Sequence, residues 1–375
     1  MDAQASKDLR TNKGSRIPYL EKKISNFLDK STVIVGGSGS GKSTLIEDLM
    51  HMLMEYIPVW LVICPTNQQN NLYTNKIPSA CIKPDWSKEK IQKFWQRQEC
   101  MAQIYSSGNN LNNLRYVFDA VASAQDTREV EVITNMARSR EDDISRNLTM
   151  AFSDRKSAIN DIKRLRDTKL CEIYKNCIRK NAHALQQRFA QPSANEQDRT
   201  ARVVVEFLDM NPRVCLILDD CTENFISWMK SFKKSEQNLI KSLFFKGRHL
   251  FVTILFACHD DKAIDSELRK STHNTIYTSS QAAVTSFERK SNGYSSIECK
   301  LACSEYIPAV FDNQQFQKNH RKLCYVREDV ERFKYIVADV HESFTCGSTP
   351  LREFSRHLER KETRIADNPF VRHYA

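Results

Sequence analysis

The chain has 375 residues and a formal net charge of +10, with 41% hydrophobic and 27% charged residues. That length holds one large core or two domains, and the apolar fraction excludes a chain disordered over most of its length. No apolar run reaches the roughly 18 residues of a membrane helix. The readings left are those of a soluble basic protein, among them the proteins that handle polyanions.

Residues 1–30 are polar, then weakly amphipathic, and read as a separate N-terminal segment. Ser31-Thr32-Val33-Ile34-Val35 is β-branched and apolar, which predicts a buried strand. It runs directly into Gly36-Gly37-Ser38-Gly39-Ser40-Gly41-Lys42-Ser43-Thr44, which fits the G-x-x-x-x-G-K-[ST] pattern of a phosphate-binding loop. Glycines let successive backbone N–H groups turn inward toward phosphate oxygens. Lys42 is then expected at the β and γ phosphates of ATP, and the Ser43 hydroxyl on Mg²⁺. Leu45, Ile46, Leu49 and Met50 follow at helical spacing, so the loop opens a helix whose dipole also favours anions. The run "VWLVIC" at 59–64 predicts the next strand, stopped by Pro65-Thr66-Asn67.

From Asp85 to Gln191 there is no proline and a single glycine, Gly108. This texture predicts long helices and marks residues 85–200 as a helical insertion in a core made of 31–84 and 201–340. Within 154–189, Ile159, Ile162, Leu165, Leu170, Ile173 and Cys177 recur at three- and four-residue steps. That spacing gives an amphipathic helix with a basic face. It reads either as a solvated helix packed on the core or as a surface for nucleic acid or a partner.

Strand signals return from about 201. "RVCLILDDC" is a continuous apolar run ended by two carboxylates, the arrangement called Walker B. Asp219 is expected to hold Mg²⁺, and Asp220 to orient and activate the attacking water. "RHLFVTILFACHDD" is a second such run, with His259 at its tip. In P-loop hydrolases with an extra strand between the two Walker strands, this tip carries a polar sensor of the γ-phosphate. A capped loop histidine is the competing reading. "HNTIYTSS" predicts a further strand, and "KLCYVRED" with "FKYIVADV" a late strand pair. Residues 341–375 form a tail. Apolar strands alternating with helices define an α/β fold with a mostly parallel sheet. Arg248 in "FFKGRHLF" and Arg269 in "SELRKS" are candidates for an arginine finger, a residue usually supplied by a neighbouring subunit. Each also fits an ordinary surface arginine.

Twelve cysteines contain no C-x-x-C pair, and the first residues lack the apolar stretch of a secretory signal, which predicts a reduced, intracellular chain. Cys64, Cys215, Cys258 and Cys324 sit in apolar strands as small hydrophobes. Cys299-x₃-Cys303 with His320-x₃-Cys324 is a candidate zinc group of non-standard spacing.

"GGSGSGKS", "LILDDC", "KGRHLFVTILFACHD" and "LRKS" together resemble the genome-packaging ATPases of nucleocytoplasmic large DNA viruses, of the FtsK–HerA clade of DNA pumps. The likeness spans about 31–84 and 205–340. It implies a RecA-like core, a homo-oligomeric ring around double-stranded DNA, and ATP-driven movement of a viral genome into a capsid. Capsid or portal-type proteins would be partners, in the host-cell cytoplasm where virions assemble, with the virion as a second location. By motif, Gly36 to Thr44 would bind phosphate, Ser43 and Asp219 would serve Mg²⁺, Asp220 would be the catalytic acid and His259 the sensor. Arg248 matches the "GRH" arginine. The wider clade generally carries Glu where Asp220 stands and often Gln where His259 stands. A helicase or recombination-type DNA-dependent ATPase is the alternative. Its single-strand channel would want aromatic stacking residues, and Trp86, Trp95 and Trp228 offer no obvious platform. A P-loop kinase comes third.

Overall fold

The apolar runs become the strands of one eight-stranded sheet in the computed structural model, which describes residues 8–232, 238–312 and 321–366. A two-stranded hairpin, β1 (Leu9–Arg10) and β2 (Arg16–Ile17), precedes it. The sheet strands are β3 (Ser31–Val35), β4 (Val59–Ile63), β5 (Ile82–Lys83), β6 (Val214–Asp219), β7 (Val252–Cys258), β8 (Asn274–Tyr277), β9 (Arg321–Val326) and β10 (Phe333–Val337). Their order across the sheet is β10-β9-β8-β3-β7-β6-β4-β5. The six strands from β8 to β5 are mutually parallel, and β9 and β10 close that side as antiparallel neighbours. The protein has an α/β P-loop fold with a mostly parallel sheet flanked by helices.

A parallel sheet is buried on both faces, which is why its strands read as unbroken apolar runs. Side chains alternate between faces. Val214, Leu216 and Leu218 of β6 join one core with Val252, Ile254 and Phe256 of β7. Cys215 and Ile217 join the other, with Leu255 and Ala257, beneath the P-loop helix Lys42–Leu53. The two-residue strand β5 has no sequence signature of its own, because two residues are too few to show a period.

The chain divides into two compact units, one built from the stretches up to Glu99 and from Pro212 onward, the other from Cys100 to Asn211. The sheet lies in the first. Trp86, Ile91 and Trp95 are buried in its core with Trp228, so these tryptophans are packing residues and present no stacking surface. The second unit is helical, with helices Leu111–Asp119, Ala124–Arg146, Phe152–Lys180, Ala182–Arg188 and Glu196–Glu206. Ser123 starts Ala124–Arg146 with a reciprocal capping box to Asp126. In Phe152–Lys180 the buried stripe is Leu170, Tyr174, Cys177 and Ile178, while Leu165 is half exposed. Of the expected stripe, Leu170 and Cys177 are buried, and Ile159, Ile162 and Ile173 are partly buried. Asn181 interrupts the helix expected to run on to 189.

Candidate active site

The phosphate-binding loop joins β3 to the helix Lys42–Leu53 at the C-terminal edge of the parallel strands. Gly39 and Gly41 take left-handed backbone angles, φ 70° and 85°, which residues with a Cβ rarely adopt. Gly37 and Gly39 have no heavy atom within 4 Å of a built Cβ, so the loop surface is open where phosphate oxygens must approach. At Gly36 the reason for glycine is different. A Cβ there would overlap the Thr278 hydroxyl and lie 2.7 Å from Ser40 Oγ. Thr278, just past β8, braces the loop: its N–H donates to the Val35 carbonyl (2.9 Å) and its hydroxyl meets Ser40 Oγ at 2.6 Å. Ser40 Oγ also lies 2.7 Å from the Gly37 carbonyl. Gly36→Ala is therefore expected to destabilise the protein by about 1–3 kcal/mol through overpacking, read as a fall in thermal midpoint. Thr278→Ala in the same chain should recover part of that loss.

Lys42 Nζ donates to the carbonyls of Gly36 (2.7 Å) and Gly37 (2.8 Å), so its cation already lies in the loop. Burial lowers its pKa, opposed chiefly by the nearby Asp219. Asp219 ends β6 and is 7% exposed. Burial raises its pKa, while a hydrogen bond from the Tyr73 hydroxyl to Oδ2 (2.8 Å) favours the carboxylate. Asp220 follows at φ 51°, a left-handed conformation in which aspartate is enriched among non-glycine residues. Its side chain is exposed, and Oδ1 lies 3.5 Å from His259 Nε2.

The strand order explains that meeting. β7 lies between β3 and β6, so the tip carrying His259 lies between the phosphate loop and the two acids. These groups line one open pocket of about 330 Å³, which Thr66 and Asn70 complete from the loop after β4. Ser38, Gly39, Gly41, Lys42, Ser43 and Thr44 contribute from the loop, and Asp219, Asp220 and His259 from the strand tips. A nucleoside triphosphate fits this donor set. The open glycine backbone and Lys42 suit phosphate oxygens, and the Ser43 hydroxyl and Asp219 carboxylate are the hard oxygen ligands that Mg²⁺ prefers.

Neither candidate finger lines this pocket. Arg248 lies in the turn Gly247–Leu250, ahead of the N-terminal end of β7 and exposed. Seven residues of strand separate that end from the pocket, roughly 20 Å at the usual rise. Arg269 is engaged locally: Nη1 donates to the Asp261 carbonyl (2.7 Å) and Nη2 to Ser291 Oγ (3.1 Å). Sequence reasoning missed the network this belongs to. Asp261, 3% exposed, accepts from Ser286 Oγ (2.8 Å), Asn292 Nδ2 (2.6 Å) and Arg289. Arg289 also reaches Asp260, next to His259, at 3.1 Å. The "HDD" run hinted at it, but the partners lie up to 31 residues away.

The candidate zinc group does not assemble. Cys324 is fully buried on the sheet face shared with the P-loop helix, whereas Cys303 packs against the opposite face. Cys299 Sγ donates to the Phe287 carbonyl at 2.9 Å, and His320 lies outside the described residues. Among the described residues no cluster of three potential ligands occurs.

Fold and pocket together define a P-loop NTPase with an additional strand between its two Walker strands. No family model matches the sequence. The chain is similar along nearly its whole length to the uncharacterized protein B354L of African swine fever virus: 27% identity to the Pig/Kenya/KEN-50/1950 isolate, covering 96% of this chain and 97% of that protein. A shorter match, 37% identity over 67 residues, or 18% of this chain and 26% of the relative, is to the uncharacterized protein 075L of Invertebrate iridescent virus 6. Among solved structures, the plasmid coupling protein TrwB in complex with ADP and Mg²⁺ aligns with a TM-score of 0.32 and 10% identity, over 85% of this chain and 87% of that one. EssC ATPases 2 and 3 from Geobacillus thermodenitrificans align with a TM-score of 0.35 and 11% identity, over 100% of this chain and 51% of that one. Among the described residues no helix is long and apolar enough to cross a membrane.

Proposed function

We propose that this chain is an ATP-hydrolysing motor that moves double-stranded DNA, of the kind that packages a viral genome into a capsid. One observation carries the hydrolytic part: Lys42, Asp219, Asp220 and His259 line a single pocket, with Asp220 and His259 3.5 Å apart. Bound Mg²⁺ would offset phosphate charge. Lys42 would hold the terminal phosphates, Ser43 and Asp219 would face the metal, and Asp220 would take a proton from the attacking water. His259, beside Asp220, would register whether the γ-phosphate is present. The DNA part rests on the resemblance of the motif set and on the chain's positive balance. Capsid or portal-type partners, a ring of identical subunits and a cytoplasmic assembly site belong to the same reading. The second reading, a helicase or recombination-type ATPase, shares the pocket and differs in its track.

The test is ATP hydrolysis by the full chain with long double-stranded DNA, with single-stranded DNA and with neither, beside Lys42→Ala as the variant lacking the phosphate clamp. Stimulation by duplex DNA that Lys42→Ala removes supports the motor. Stimulation by single strands alone favours the helicase. Turnover that ignores DNA but rises with a small phosphate acceptor returns the kinase. Backbone contacts release counterions, so DNA-stimulated turnover should fall steeply between 50 and 200 mM salt, with binding weakened by about 10³-fold or more for six or more phosphates. A flat salt response argues against backbone gripping.

A further inference from the structure

We infer that Tyr73 is a positioning residue for the metal-facing acid: its phenol fixes the Asp219 carboxylate so that one oxygen is held by protein and the other is left for the Mg²⁺ shell. This rests on the nucleotide-binding reading of the pocket. Nothing in the sequence pointed to it, because Tyr73 lies 146 residues from its partner, in a loop with no motif. The geometry is specific. The Tyr73 side chain is fully buried, and its hydroxyl reaches Asp219 Oδ2 at 2.8 Å. Asp219 is itself buried and forms part of the pocket wall.

The loop that carries Tyr73 is built to hold it. Asn67, also buried, accepts from the Tyr73 backbone N–H through Oδ1 (3.0 Å). Its amide donates to Thr74 Oγ1 at 3.3 Å. Three residues on, Lys76 pairs with Glu47 of the P-loop helix at 2.5 Å, and its carbonyl accepts from the Cys346 N–H at 2.7 Å. The same loop supplies Thr66 and Asn70 to the pocket. Tyr73 is thus anchored on one side by side-chain-to-backbone bonds and on the other by the P-loop helix. A phenol held this way restricts which carboxylate rotamers Asp219 can adopt. Partners that orient a metal ligand commonly change metal affinity or activity by 10–100-fold when removed.

The experiment uses the full chain and a fluorescent N-methylanthraniloyl ATP, titrated without metal and then with Mg²⁺. Tyr73→Phe keeps the ring and removes only the hydroxyl. It should leave metal-free nucleotide affinity within about twofold and raise the Mg²⁺ concentration for half-maximal enhancement by about 10-fold or more. The double variant with Asp219→Asn should be no worse than Asp219→Asn alone, because Tyr73 acts through that carboxylate. A Tyr73→Phe chain with a wild-type Mg²⁺ midpoint overturns the inference. So does one that loses metal-free binding as much as metal-dependent binding, since that marks a role in folding the loop. If Tyr73→Phe does not fold, 3,5-difluorotyrosine at position 73 decides, because it keeps the hydroxyl in place and changes only its donor strength. A shifted Mg²⁺ midpoint with unchanged metal-free affinity supports positioning, and a wild-type midpoint overturns it. Wild-type protein that binds no nucleotide at all sinks the pocket reading itself. A wild type that binds with metal dependence while Tyr73→Phe matches it sinks only this inference.

Discussion

Asp220→Asn is expected to lower ATP turnover by about 10²- to 10⁴-fold, the range in which a positioned general base acts, while nucleotide affinity stays within a fewfold of wild type. Three observations make the substitution clean. The side chain is exposed at the pocket, so no core contact is lost. The backbone is left-handed at φ 51°, and asparagine adopts that region as readily as aspartate. The amide keeps a carbonyl oxygen that can face His259 Nε2, now 3.5 Å from Oδ1. What disappears is the carboxylate proposed to accept the proton. Phosphate release measured beside equilibrium nucleotide binding separates this from Lys42→Ala, which should weaken both. Near-normal turnover in Asp220→Asn would move the base elsewhere, first to Asp219, whose burial and tyrosine bond suit it less well. His259→Gln, which keeps a polar donor at the strand tip, should leave turnover closer to wild type than His259→Ala does.

How much was legible in advance followed the range of each interaction. Ser31–Val35, the loop and the helix after it are contiguous, so local pattern was enough to read them together. The strands Val214–Asp219 and Val252–Cys258 were readable because burial on both faces writes an unbroken apolar run. Their order was only suggestive until the pairing of β7 with both β3 and β6 was visible. Thr278, Tyr73 and the Asp261 network were invisible for one common reason. Each contacts the site across more than one element, through single hydroxyl, amide or guanidinium groups that leave no periodic trace. Arg269 was readable as a residue but not as a bonded one, since Asp261 and Ser291 come to it only in the fold. The absence of proline made the long helices readable, but the stripe read from Ile159 to Cys177 shares only Leu170 and Cys177 with the buried set. Leu165 is half exposed because, at about 100° per residue, it lies nearly opposite Leu170, Tyr174, Cys177 and Ile178.

Arg248→Ala should cost about 10³- to 10⁵-fold in turnover of the assembled protein, the span seen when an arginine finger is removed. On the proposed ring of identical subunits the loss should be complementable, for a geometric reason. Arg248 precedes the N-terminal end of β7, whereas the phosphate loop, Asp219, Asp220 and His259 sit at the C-terminal edge of the same sheet. Roughly 20 Å of strand separates them, several times the reach of an arginine side chain. A finger at this position therefore serves the site of another copy, whose open pocket must be presented to it. Its side chain is exposed and its one hydrogen bond among the described residues is a long one, 3.4 Å, to the neighbouring His249. Little would have to be broken to deliver it. The decisive mixture combines Arg248→Ala subunits with Lys42→Ala subunits, each inactive alone. Wherever an Arg248→Ala pocket faces the Arg248 of a Lys42→Ala neighbour, one interface regains both an intact phosphate loop and a finger. Turnover should therefore reappear on mixing and rise with total protein concentration. Mixtures that stay inactive while each variant still assembles would rule out Arg248 as a finger supplied by a neighbour. The same mixture made with Arg269→Ala should then be tried, although the bonds of Arg269 to Asp261 and Ser291 predict a loss that no neighbour can supply.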